Sequence, residues 1–147
     1  MRRNYAGYEQ DFYAWTQEQA KLLRSAKFSE IDIENVAEEL ESMGRSDKRE
    51  IDSRLEVLLV HLLKWQVQEG FRSGSWSGSI REQRSRIEDL LGESPSLRRQ
   101  VAQIKPTVYA RARREAANET GLPVRMFPTS CPFTPAQIMA EDFLPEG

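Results

Sequence analysis

Tyr8, Phe12, Trp15, Gln19, Leu22 and Ala26 recur at steps of 4, 3, 4, 3 and 4. Such steps keep side chains on one face of an α-helix, so the spacing predicts a helix from about Tyr8 to Ala26, with Gln19 the one polar member of its stripe. Lys27-Phe28-Ser29 reads as a turn. Ile33, Val36, Ala37, Leu40 and Met43 then predict a second helix, opened by Asp32 as N-cap and stopped by Gly44. Glu34, Glu38 and Glu41 line its flank. Ser46 is a natural N-cap for a third and longest helix, in which Ile51, Leu55, Leu58, Leu62 and Trp65 form the stripe and Leu59 and Leu63 widen it. A helix apolar on most sides belongs in the middle of a bundle. It ends by Gly70.

Residues 70–79, Gly-Phe-Arg-Ser-Gly-Ser-Trp-Ser-Gly-Ser, have the composition of a loop with an aromatic at its centre. Ile80, Gln83, Ile87, Leu90 and Leu91 mark a fourth helix, closed by Gly92. Ser94-Pro95 opens a fifth with the stripe Leu97, Val101, Ile104 and Val108; Pro106 is expected to kink or split it, and Gly121 to end it. Four prolines between Pro123 and Pro135 make the tail mostly extended, and Thr134-Pro135-Ala136-Gln137 is a capping box for one short helix to about Asp142. Leu122, Phe127, Phe133, Ile138 and Phe143 read as pegs that pin this tail down. No strand alternation appears. The expected fold is all-α, a helical bundle of about five main helices with a proline-rich C-terminal tail and one short extra helix. It is read as a single domain over 1–147 with the tail 122–147 docked.

Composition narrows this little further. The formal net charge of -2 gives no global field for nucleic acid or membrane. Charge is uneven, however. Residues 1–70 hold 14 acidic and 10 basic side chains, residues 71–125 hold 6 and 11, and Arg outnumbers Lys 16 to 5. Arg forks suit carboxylates and phosphates, so this bias fits internal ion pairs or an anionic partner. The single cysteine, Cys131, excludes an internal disulfide framework and a cysteine zinc cluster. The basic start, Met1-Arg2-Arg3-Asn4-Tyr5, is followed by no apolar run, and the longest apolar stretch, Val57 to Leu63, is broken by His61. Neither a secretory signal nor a membrane span is expected, and the cytoplasm is the simplest location.

Several of these segments resemble a known family. Asp11-Phe12-Tyr13-Ala14-Trp15-Thr16, the run from Ile33 through Glu38-Glu39-Leu40-Glu41-Ser42-Met43 to Gly44, His61-Leu62-Leu63-Lys64-Trp65, Ser75-Trp76 with Ile80-Arg81-Glu82-Gln83-Arg84, and Phe143-Leu144-Pro145 stand in the order of the bacterial family catalogued as domain of unknown function 29. The resemblance covers nearly the whole chain. It implies an almost wholly α-helical fold and, since the family has no established activity, no mechanism.

Candidate chemistry is sparse. His61 is the only histidine and lies at the edge of its helix stripe, where it reads as a boundary residue bonded to a neighbour. The functional alternative joins His61 to Glu34 or Glu38 as a metal or acid–base set. Bundle metal sites need a Glu-x-x-His pair, though, and Leu58 stands three residues before His61. No Gly-x-Ser-x-Gly elbow or Walker loop is present. Trp76, flanked by Arg72, Arg81 and Arg84, is the candidate functional surface, able to stack a base or anchor a partner; alternatively it folds back beneath the fourth helix, four residues ahead of Ile80. With no catalytic set visible, the leading expectation is a non-catalytic protein-interaction or regulatory module with no cofactor and another protein as partner. The alternatives are nucleic-acid binding through the Arg-rich 72–114 region and a metal-dependent enzyme using His61 and the second-helix glutamates.

Overall fold

Asp11 opens the first helix, its carboxylate accepting the Ala14 backbone N–H at 3.1 Å, and α1 runs Phe12–Arg24. Tyr8 therefore stands before the helix that its spacing seemed to begin. The computed structural model describes residues 7–146; residues 1–6, with the basic start, and Gly147 lie outside them. The fold is all-α, 75% helical, with no strand among the described residues. After α1 come α2 (Ile33–Val67), α3 (Gly74–Glu93), α4 (Arg98–Ala102), α5 (Pro106–Thr120) and α6 (Pro135–Met139).

The largest departure from the sequence reading is α2. The second and third helices expected from the stripes are one continuous helix of 35 residues, so Gly44 does not stop it and Ser46 does not cap a new one. A glycine inside a helix costs about 1 kcal/mol relative to alanine, which flanking turns readily offset. Here Arg45 reaches back to Glu38 at 2.8 Å and Glu41 at 3.9 Å, bracketing the glycine with ion pairs on its own helix. The expected 70–79 loop is also shorter. Ser73 caps α3 by accepting the Trp76 N–H at 3.3 Å, which puts Gly74 and Trp76 in the first helical turn. Pro106 does split the fifth helix, and it occupies the first turn of α5, where its missing N–H is harmless. Gly121 ends α5 in the left-handed conformation at φ 72, which few other residues tolerate.

The residues gather into two compact units, one ending at Ser46 and one starting at Asp47, and α2 runs through that boundary. In the second unit Ile51, Leu55, Leu58, Leu59, Leu62 and Leu63 of α2 are wholly buried, together with Ile80 and Ile87 of α3 and Ala112 and Ala116 of α5. At about 1.5–3 kcal/mol for each large side chain buried, this half of α2 is the axis of that unit. The tail belongs to the same core: Phe127, Phe133 and Ile138 are buried in it, and Leu122, Cys131, Met139 and Phe143 pack against it. The capping box at Thr134 forms as read, with Thr134 and Gln137 exchanging side-chain and backbone bonds. No described helix is long and apolar enough to cross a membrane.

Candidate interaction surface

The first unit is an antiparallel hairpin of α1 and the start of α2. Tyr8 Oη donates to Glu39, while Trp15 Nε1 donates to Asp32 Oδ2 at 3.1 Å and Gln19 Oε1 accepts the Asp32 N–H at 2.8 Å. Asn35 Nδ2 donates to the same Asp32 oxygen at 2.7 Å. Asp32 is thus a buried anchor at the head of α2, held by the two α1 residues, Trp15 and Gln19, that are themselves buried. Buried polar groups tolerate such burial best when bonded, as Trp15 Nε1 and the Asp32 carboxylate are, whereas Gln19 Nε2 is buried without a partner among the described residues. The rings of Tyr8, Phe12 and Trp15 pack around this network with centroids 4.7–6.0 Å apart, Tyr8 edge-on to the other two and Phe12 stacked on Trp15. The bond to Glu39, before any burial effect, holds the Tyr8 phenol above its ordinary pKa.

The hairpin hides little else. Trp15 and Ile31 are its buried apolar side chains, whereas Phe12, Tyr13, Leu23, Phe28, Ile33, Leu40 and Met43 are exposed. Ile33, Leu40 and Met43 are 66%, 64% and 65% exposed. The stripe expected to face the core therefore does not. Asp32, Asn35 and Glu39 turn toward α1 instead. At 3.6 residues per turn, Ile33, Ala37, Leu40 and Gly44 fall within about 60° of one another on the neighbouring face of α2. By the same count Phe12, Thr16, Ala20 and Leu23 share a face of α1. Because the helices are antiparallel and meet through Trp15 and Asp32, the two stripes lie on the same side of the hairpin. This apolar surface escaped the sequence reading because periodicity reports that a stripe exists and not what covers it.

The residues singled out from sequence have other surroundings. Arg84 is only 5% exposed and spends its guanidinium on the tail: Nε donates to the Ile138 carbonyl at 2.7 Å, Nη1 to Glu141 at 3.3 Å, and Nη2 to Gln137 at 3.3 Å and Phe143 at 2.9 Å. Burial lowers its pKa. Arg72 Nε donates to the Trp65 carbonyl at 2.8 Å, and its guanidinium lies over the Trp65 ring at 5.3 Å. Trp76 is half-buried with Lys64 Nζ 4.6 Å from its ring centre, while Arg81 is exposed. An open cavity of about 400 Å³ is lined by Arg81, Arg84, Ser85, Glu88, Met139 and Glu141.

His61 Nδ1 is 2.8 Å from the Val57 carbonyl one turn back on its own helix. The metal or acid–base set of His61, Glu34 and Glu38 is not brought together. All three stand on α2, Glu34 and Glu38 in the first unit and His61 in the second. The set required two separate helices folding back on each other, which a stop at Gly44 would have allowed. Among the described residues no three His, Cys, Asp or Glu side chains converge as a metal site. Burial pushes the Cys131 thiol up, away from the thiolate that reactive cysteines need.

The model of the family described as Domain of unknown function DUF29 matches residues 7–144. The chain belongs to that family. No curated protein and no solved structure matches it. The family is described as one of unknown function, so membership brings no activity with it.

Proposed function

We propose that this DUF29 chain is a non-catalytic interaction module that binds another protein through the apolar face of its α1–α2 hairpin. The observation that carries the reading is the inversion of burial between the two units. Among the described residues the second unit buries eighteen apolar side chains, while the hairpin buries two and exposes seven large ones. Contiguous exposed apolar surface of this extent marks interaction sites in stable proteins. The cytoplasm and a bacterial source remain part of the proposal on the sequence and its resemblance alone.

Affinity capture from cell extract with the full chain, wild type against Leu40→Glu, tests this. Leu40 is exposed, so the substitution leaves the fold intact. A protein retained by the wild type and lost with the variant supports the reading; identical capture by both overturns it. Nucleic-acid binding through 72–114 receives less support. Arg72, Arg84 and Arg113 donate to backbone carbonyls and Arg86 lies 3.9 Å from Glu82, so four of the nine arginines of this region are engaged with their own chain.

A further inference from the structure

We infer that the cavity between α3 and the tail binds a free α-amino acid, its carboxylate held by Arg81 and Arg84 and its ammonium by Glu88 and Glu141. Every lining residue belongs to the second unit, so the site is independent of the hairpin reading.

Arg81, Arg84, Ser85 and Glu88 stand at i, i+3, i+4 and i+7 along α3, which sets them on one face of that helix. Met139 and Glu141 of the tail complete the lining. The volume of about 400 Å³ lies near the lower end for ligand sites, which suits a small metabolite.

Two positive and two negative side chains line this cavity without neutralising one another. The side chains of Arg81, Glu88 and Glu141 make no ion pair and no hydrogen bond among the described residues. Unpaired charge is not general on this helix, since Arg86 approaches Glu82 one turn back. Arg81 and Glu88, seven residues apart, are separated by about 10 Å along the axis, a gap that a ligand carrying both charges can bridge. Phosphate alone would meet the two carboxylates as well as the guanidiniums, and a simple cation would meet the reverse conflict. A zwitterion satisfies both signs with charge-assisted bonds. Met139, partly buried against the core, offers its side chain an apolar wall.

Arg84 supplies the buried half of the site. Its guanidinium has five N–H groups and donates four of them to tail carbonyls, leaving one on Nη1 without an acceptor among the described residues. Burial lowers its pKa and no carboxylate opposes that effect. A carboxylate in the cavity would take the fifth N–H and give this buried cation a counter-ion. The ligand would then tie α3 to Glu141 of the tail, and occupancy would stabilise the fold by mass action.

Isothermal titration calorimetry of the full chain with each common L-amino acid, up to about 10 mM, provides the test. At least one amino acid with an apolar side chain should bind and raise the melting temperature with its concentration. Its amide, which lacks the carboxylate, and its N-acetyl derivative, which lacks the ammonium, should each bind at least about tenfold more weakly. Arg81→Gln and Glu88→Gln should each weaken binding by a similar factor with the far-ultraviolet helical signal retained, because both side chains are exposed. Absence of binding by every amino acid overturns the proposal. So does an amide or N-acetyl derivative that binds as well as the parent, or affinity unchanged in both variants. Binding of inorganic phosphate without any amino acid overturns it in favour of a simple anion site.

Discussion

Arg84 is the residue whose role changes most between sequence and structure. Its position beside Trp76 in the sequence suggested a surface cation, yet four tail carbonyls converge on its guanidinium. A planar fork with five donors can serve such a cluster, and a lysine cannot. Arg84→Met should therefore lower stability by about 3 kcal/mol in urea unfolding, and Arg84→Lys should recover only a minor part. Equal stability of Arg84→Met and wild type would remove the latch role. Tyr109 anchors the same tail further up, its hydroxyl donating to the Pro128 carbonyl. Burial first, then Cys131, raises its pKa from 10.0 to about 12, while Arg113 pulls the other way. The folded state thus prefers the neutral phenol. The resulting stability is fully present below pH 10 and is lost as pH rises toward about 12. Melting temperature followed across that window should fall less steeply for Tyr109→Phe than for the wild type; parallel curves would show that Tyr109 does not contribute.

At the scale of elements, α2 decides the molecule. Helix stops are read from single residues, but a helix continues wherever the turns on both sides of a weak position are good enough. Arg45 pairing across Gly44 with Glu38 and Glu41 makes those turns good. Gly44→Ala should raise stability by up to about 1 kcal/mol in urea unfolding, because open space surrounds the added methyl. A destabilised variant would mean that Gly44 has a conformational role in the monomer. The other helix boundaries follow local chemistry: Asp11, Ser73 and Thr134 each accept the N–H that defines a cap. Asp11 and Ser73 were passed over because the apolar spacing extended past Asp11 at one end and the Gly/Ser composition hid Ser73 at the other.

For the whole molecule, part of the charge asymmetry between halves is taken up by local pairs. Arg54 pairs with Glu50, Arg72 approaches Glu69, Lys64 meets Glu119 and Lys105 meets Asp52. With phosphate-type contacts scattered in this way, binding to single- or double-stranded oligonucleotides should stay weaker than micromolar at physiological salt. Titration of the full chain with both, across salt concentrations, checks this. Micromolar or tighter affinity with a steep salt slope, lost in the double variant Arg81→Glu and Arg98→Glu, would restore the nucleic-acid reading.

What the sequence determined is everything set by neighbours three and four residues apart: the all-α class, the stripes on α1, α3 and α5, the break before Pro106, the end at Gly121 and the capping box at Thr134. Those features depend on backbone sterics and one turn of helix, which short-range spacing encodes directly. Tertiary structure alone decided which stripes are covered. Ile51 to Leu63 and Ile33 to Met43 look alike as periodic apolar positions, but the first is enclosed by α3, α5 and the tail while α1 covers a different face of the second. It also decided that Arg84 turns inward. Burial and pairing across long sequence separations depend on where the chain returns, and no periodicity along a single helix carries that information.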